Sequence, residues 1–217
     1  MRLLFSLALL FGSVTLARTQ QPDTDTPREP EPPRFGIPAK LKVFPQSTPK
    51  RALASAIEAI ERPDIPYLLA HLLDPGFVEF RLNDRAKQLE APVEVELTRL
   101  RNFQIRNPDK FSPKDRLPGD KVKFNALIVE RSREQAFKQL ARDVEEKLLD
   151  DPQALKDMKK LLKDGTFTDT ETGAKVTHMD VKERALYFRK IGDRWFLQNH
   201  QEDQPKKEGQ PKKEPGM

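Results

Sequence analysis

Three histidines, His71, His178 and His200, are where acid–base or metal chemistry would be sought first, because imidazole changes charge near neutral pH. They fall in separate stretches with no metal-ligand spacing, so no metal site is read. A serine–histidine–aspartate triad assembles in space, and chain order alone does not exclude one. The chain nevertheless lacks a Gly-x-Ser-x-Gly elbow, and its nine glycines form no phosphate-cradling loop. The absence of cysteine excludes thiolate chemistry and a disulfide framework. Asp64, Asp74, Asp180 and Asp193 read as helix caps or turn residues. Tyr187 and His178 remain as the candidate ligand-binding residues. No catalytic residue and no cofactor is read.

Tyr187 belongs to the stretch with the plainest strand pattern, residues 166–199. Gly192-Asp193 is a two-residue hairpin signal, since glycine supplies the positive φ of a primed turn. Closing the hairpin there sets Lys190 opposite Trp195, Phe188 opposite Leu197 and Leu186 opposite Asn199. Alternation then puts Leu186, Phe188, Trp195 and Leu197 on one face. Tyr187, Ile191 and Phe196 share the other face with Arg189 and Arg194. Trp195 reads as core, and Tyr187 would line a concave pocket or stand exposed. A hairpin this apolar needs helices on its oily face.

Those helices precede it. Thr48 with Pro49 is a cap-plus-proline start, and Leu53, Ile57 and Ile60 repeat at helical spacing until Pro63. Asp64 caps a second helix whose stripe is Ile65, Leu68, Leu69, Leu72 and Leu73. His71 falls opposite that stripe, near Tyr67 and Asp74, and is expected in solvent. Asp74-Pro75-Gly76 breaks the chain. The pattern predicts helix through Leu89 and another after Pro92, although Val93, Val95 and Leu97 also alternate as a strand would. Residues 107–119 form a proline-punctuated loop. From Asp120 a longer helix is expected, with Val122, Ala126, Val129, Phe137, Leu140, Val144 and Leu148 on one side. Asp151-Pro152 starts the last helix, and Asp164-Gly165 ends it. Helices first and a meander after argue for an α+β fold.

The ends are different. Met1-Arg2, the apolar run from Leu3 to Val14, and small residues at Thr15 and Ala17 make residues 1–17 a secretory signal peptide. The run is shorter than the roughly 20 residues a membrane span needs, and no other segment could span. Residues 18–47 are a proline-rich, disordered linker, and residues 201–217 are a disordered tail carrying the repeated Gln-Pro-Lys-Lys-Glu. Residues 48–200 form the globular domain. The charged fraction of 34% is nearly as large as the hydrophobic 36%, and the polarity is concentrated at the ends. The net charge of +5 comes from interspersed signs rather than a basic run, so nucleic acid is not expected as a partner. A secreted or periplasmic location follows from the leader, and an envelope polymer or a protein is the expected kind of partner.

The opening stretch, residues 49–78, and the closing one, residues 181–199, resemble the entry helices and terminal hairpin of the NTF2-like (SnoaL-like) superfamily. The resemblance covers under a third of the chain. It implies an NTF2-like or reduced NTF2-like domain, several N-terminal helices packed on a small C-terminal antiparallel β-meander. Family members wrap a curved sheet around helices to form a pocketed cone, and some are isomerases, dehydratases or cyclases while many are binding modules. Long helices over residues 120–163 replace the family's early strands. The aspartate base and tyrosine donor of the isomerase branch find no matching position. The expectation is an exported, non-enzymatic binding or interaction module, with a small-molecule isomerase or dehydratase as the alternative.

Overall fold

In a computed structural model the described residues are 32–181 and 184–198. The expected signal peptide, the first part of the linker, Asn199, His200 and the tail lie outside them. Among the described residues five α-helices precede a four-stranded antiparallel sheet in meander order β1-β2-β3-β4, which is an α+β arrangement.

Helix α1, Pro49–Glu61, starts where Thr48 Oγ1 accepts the Arg51 N–H at 3.2 Å. Its buried face carries Ala52, Leu53, Ala56 and Ile57. Asp64 caps α2, Ile65–Tyr67, which winds at once into a π turn over Leu68–Leu72. Asp74 then caps α3, Pro75–Arg106, by accepting from the N–H groups of Gly76 and Phe77. The expected pair of elements around Pro92 is instead this one helix, and the strand alternative is not adopted. Pro92 is exposed, so its missing N–H costs one intrahelical bond while Val93 and Leu97 just beyond it bury against Phe124 and Ile128. After a 3-10 turn at Pro108–Lys110 comes α4, Lys121–Asp150, capped by Asp120. Helix α5, Pro152–Asp164, follows without a loop because Asp151 both ends α4 and caps α5.

The stripe expected on α4 is correct only in its second half. Phe137 and Leu140 are buried, but Val122 and Val129 are exposed, and Phe124 and Ile128 take the inner positions. Phe124 and Ile128 lie two positions, roughly half a helical turn, beyond Val122 and Ala126, and these larger side chains pack on Val93 and Leu97 of α3.

Strands β1, Thr166–Asp169, and β2, Gly173–Thr177, lead to β3, Leu186–Ile191, and β4, Arg194–Gln198. The hairpin register is as expected, with Lys190 opposite Trp195 and Phe188 opposite Leu197, and Gly192 turns it at φ 60°. Phe188 and Trp195 are buried in the main core beside Leu53, Leu161 and Val176. Each such burial contributes about 2–3 kcal/mol.

Packing begins well before Thr48. Arg34 and Ile37 exchange backbone bonds at 3.0 and 2.9 Å around Phe35-Gly36, both at positive φ as this turn demands. An aromatic residue rarely adopts that conformation. Here its ring stacks on Phe137 at 4.6 Å, which offsets the cost. Phe44 and Gln46 are buried at 2% and 3%, so residues 34–47 are a packed strap rather than a loose linker.

Candidate functional site

A buried polar cluster lies where this strap meets β4 and the π turn. Its origin is local. The π turn closes with Leu73 N–H on Leu68 O at 3.0 Å. The next residues cannot continue the ladder: Asp74 N–H goes to Leu197 O at 2.9 Å, Pro75 has none, and Gly76 N–H goes to Asp74. The carbonyls of Ala70 and His71 must therefore find donors elsewhere, since buried polar groups are costly unless bonded. Arg34 Nη1 donates to Ala70 O at 2.6 Å. Gln46 Nε2 donates to His71 O at 2.9 Å, and Arg194 Nη2 donates there too at 3.2 Å.

Gln46 is the hub. Its backbone O accepts the Trp195 N–H at 2.9 Å, and its Nε2 donates to Trp195 O at 2.8 Å. It thus behaves as a neighbouring strand one residue long. Its Oε1 accepts from Arg194 Nε at 2.9 Å and from Arg194 Nη2. The Arg194 guanidinium also lies over the Phe196 ring at 5.0 Å. Arg189 Nη1 approaches Asp74 Oδ2 at 3.6 Å.

His71 is 1% exposed, which overturns the expectation of a solvated ring. Its Nε2 lies 2.8 Å from Ile37 O, and since a carbonyl only accepts, this nitrogen carries the proton. Tyr67 packs 4.9 Å from it, and the Tyr67 hydroxyl accepts the Lys40 N–H at 2.9 Å. Tyr67 and His71, opposite the helical stripe, are thus covered by the strap. Helical periodicity could not reveal this, because the π turn rotates the face by an extra residue.

The two candidate ligand residues are not brought into this cluster. Tyr187 sits near the start of β3 opposite Lys175 and Gln198, with Lys175 Nζ 5.1 Å from its ring centre. His178 lies past the end of β2, where its Nδ1 accepts the Asp180 N–H at 3.1 Å and closes a turn. Lys160 Nζ donates to Asp180 Oδ2 at 2.6 Å, and this bond holds the Asp180 carboxyl below its ordinary value of 3.8. Sequence reasoning missed Gln46, and no signal pointed to it: it stands between Pro45 and Pro49 in a stretch that reads as linker.

An open groove of about 510 Å³ lies beside the strap, lined by Lys40, Val43, Phe44, Arg62, Pro63, Asp64 and Pro66. The Lys40–Asp64 ion pair at 3.5 Å sits within this lining. Among the described residues no group of three or more His, Asp or Glu is placed to hold a metal. No described helix is long and apolar enough to cross a membrane. No family model, curated protein or solved structure matches the chain.

Proposed function

We propose that the chain is an exported, non-enzymatic binding or interaction module. The observation that carries this reading is how the sheet is used. Its inner face is filled by Phe188, Trp195 and Val176 against Leu53 and Leu161, where a pocketed cone would leave room for a substrate. The buried polar groups near it are committed to backbone carbonyls and to one another. A histidine whose ring is sealed at 1% exposure is placed to hold chain segments together rather than to exchange protons with a bound molecule. Helices followed by an antiparallel meander support a reduced NTF2-like domain with its cone collapsed. The leader-like residues 1–17 support export to a secreted or periplasmic location, where an envelope polymer or a protein would be the partner.

Two measurements test the reading. N-terminal sequencing of the exported product should begin at Arg18, and finding the protein with its leader in the cytosol would defeat the export claim. A thermal-shift screen with small metabolites should raise no melting temperature, since a ligand of the native state must raise it. A stabilising small molecule that the protein also converts to product, with both effects lost in Tyr187→Phe or His178→Ala, would establish the enzyme alternative instead.

A further inference from the structure

Helices α3 and α4 extend past the main core as a paired arm. Val93 and Leu97 of α3 pack there on Phe124 and Ile128 of α4, forming a second buried cluster, with Leu89 packed against both it and the main core. Residues 99–123 make up its end. This stretch holds eight Lys or Arg against three Asp, a net of +5 that equals the net charge of the whole chain.

The charge is not neutralised locally. Among the described residues, none of the eight forms an ion pair; their side chains instead make contacts such as Arg101 over Phe124 at 4.1 Å, Lys110 over Phe103 at 5.8 Å and Arg116 to Pro108 O at 2.9 Å. Two of the three aspartates are already occupied, Asp115 by Ser112 Oγ at 2.6 Å and Asp120 by the Lys123 N–H at 2.9 Å. Apolar side chains stand exposed among these charges: Ile105 at 69%, Val122 at 76%, Phe103 at 48% and Leu100 at 41%.

We propose that the end of this arm docks on an anionic lipid bilayer, with Ile105 and Val122 entering the headgroup–acyl boundary and the surrounding lysines and arginines held by lipid phosphates. Basic residues are drawn to a negative bilayer surface, and aliphatic side chains among them gain only where hydrocarbon receives them. Charge complementarity alone would also suit nucleic acid. The aliphatic character of Ile105 and Val122 decides for lipid, because a nucleic-acid groove rewards stacking rings. The one ring exposed here, Phe103, already meets Phe111 edge-on at 5.9 Å. This inference is independent of whether the domain is an enzyme, and its failure would leave the module reading untouched.

The test uses the full chain carrying Ile105→Trp as a local reporter, so that lipid contacts of the apolar leader do not register. Vesicles of phosphatidylcholine containing one-third phosphatidylglycerol should shift the reporter's emission to shorter wavelength, and pure phosphatidylcholine should not. The parent, whose only tryptophan is the buried Trp195, should show no shift. Adding Lys110→Glu, Lys114→Glu and Lys121→Glu should weaken the response at least about a hundredfold, given roughly fivefold per basic residue lost. The response should also fall as salt is raised. Equal shifts on both vesicles, no shift on either, an unchanged response in the triple variant, or a shift given by an oligonucleotide but not by vesicles would each overturn the proposal.

Discussion

Gln46 shows how one neutral side chain can organise a site that charges usually dominate. Its amide donates to two carbonyls and accepts from a guanidinium, while its backbone joins β4. Gln46→Ala removes the side-chain bonds and strands their buried partners, so we expect a loss of about 3 kcal/mol in urea unfolding. An unchanged midpoint would mean that water replaces the amide without cost. Asp180 offers a second check at this scale. Its folded-state carboxyl titrates below 3.8, chiefly because Lys160 donates to it. The sign follows from linkage: the contribution is present above the unfolded value and is lost as pH falls through the lower folded one. Carboxyl NMR should place the midpoint below 3.8 in the parent and nearer to it in Lys160→Met. Asp180 is exposed, so global stability should barely respond.

Among the elements, junctions are where sequence and structure agree best. Thr48, Asp64, Asp74, Asp120 and Asp151 all cap as their chemistry requires. Capping is local, so one sequence suffices to read it. The α5–β1 junction adds a constraint that spacing does not reveal. A Cβ on Gly165 would lie 2.2 Å from Leu161 O and 2.7 Å from Val176 Cγ2, although the glycine backbone itself is ordinary extended chain. Gly165→Ala should therefore cost about 2–3 kcal/mol by thermal unfolding, and a neutral result would show that helix and sheet can separate freely there. Pro92 marks the opposite case, where a strong local rule loses. Continuity of α3 depends on packing by Val93 and Leu97, which a reading of one helix at a time does not see. Pro92→Ala should stabilise the arm by about 1–3 kcal/mol, measured as slower amide exchange on either side of the site. The buried His71 was illegible for a related reason: its surroundings come from a strap 34 residues earlier in the chain.

At the scale of the whole domain, two cores divide the helices. The main core takes the first half of α3 and the second half of α4, and the distal core takes the remaining halves. Sequence periodicity foresaw both long helical regions but not this division, because an apolar stripe does not say which neighbour covers it. The division sets an expectation for dynamics. Ile128→Ala should lower exchange protection in the distal half by about 2–4 kcal/mol and leave Phe188 and Trp195 amides nearly unchanged. Equal loss in both halves would mean that the arm and body open as one unit.

The strap bond from Gln46 to Trp195 spans 149 positions. A nascent chain emerges from its first residue onward, so Gln46 waits for nearly the entire domain to be translated before its partner exists. Until that last ribbon appears, the strap holds only to the helices, through contacts such as Arg34 to Ala70 O and His71 Nε2 to Ile37 O, and has no sheet edge to join. Emergence of β4 is thus the event that fastens the strap to the sheet.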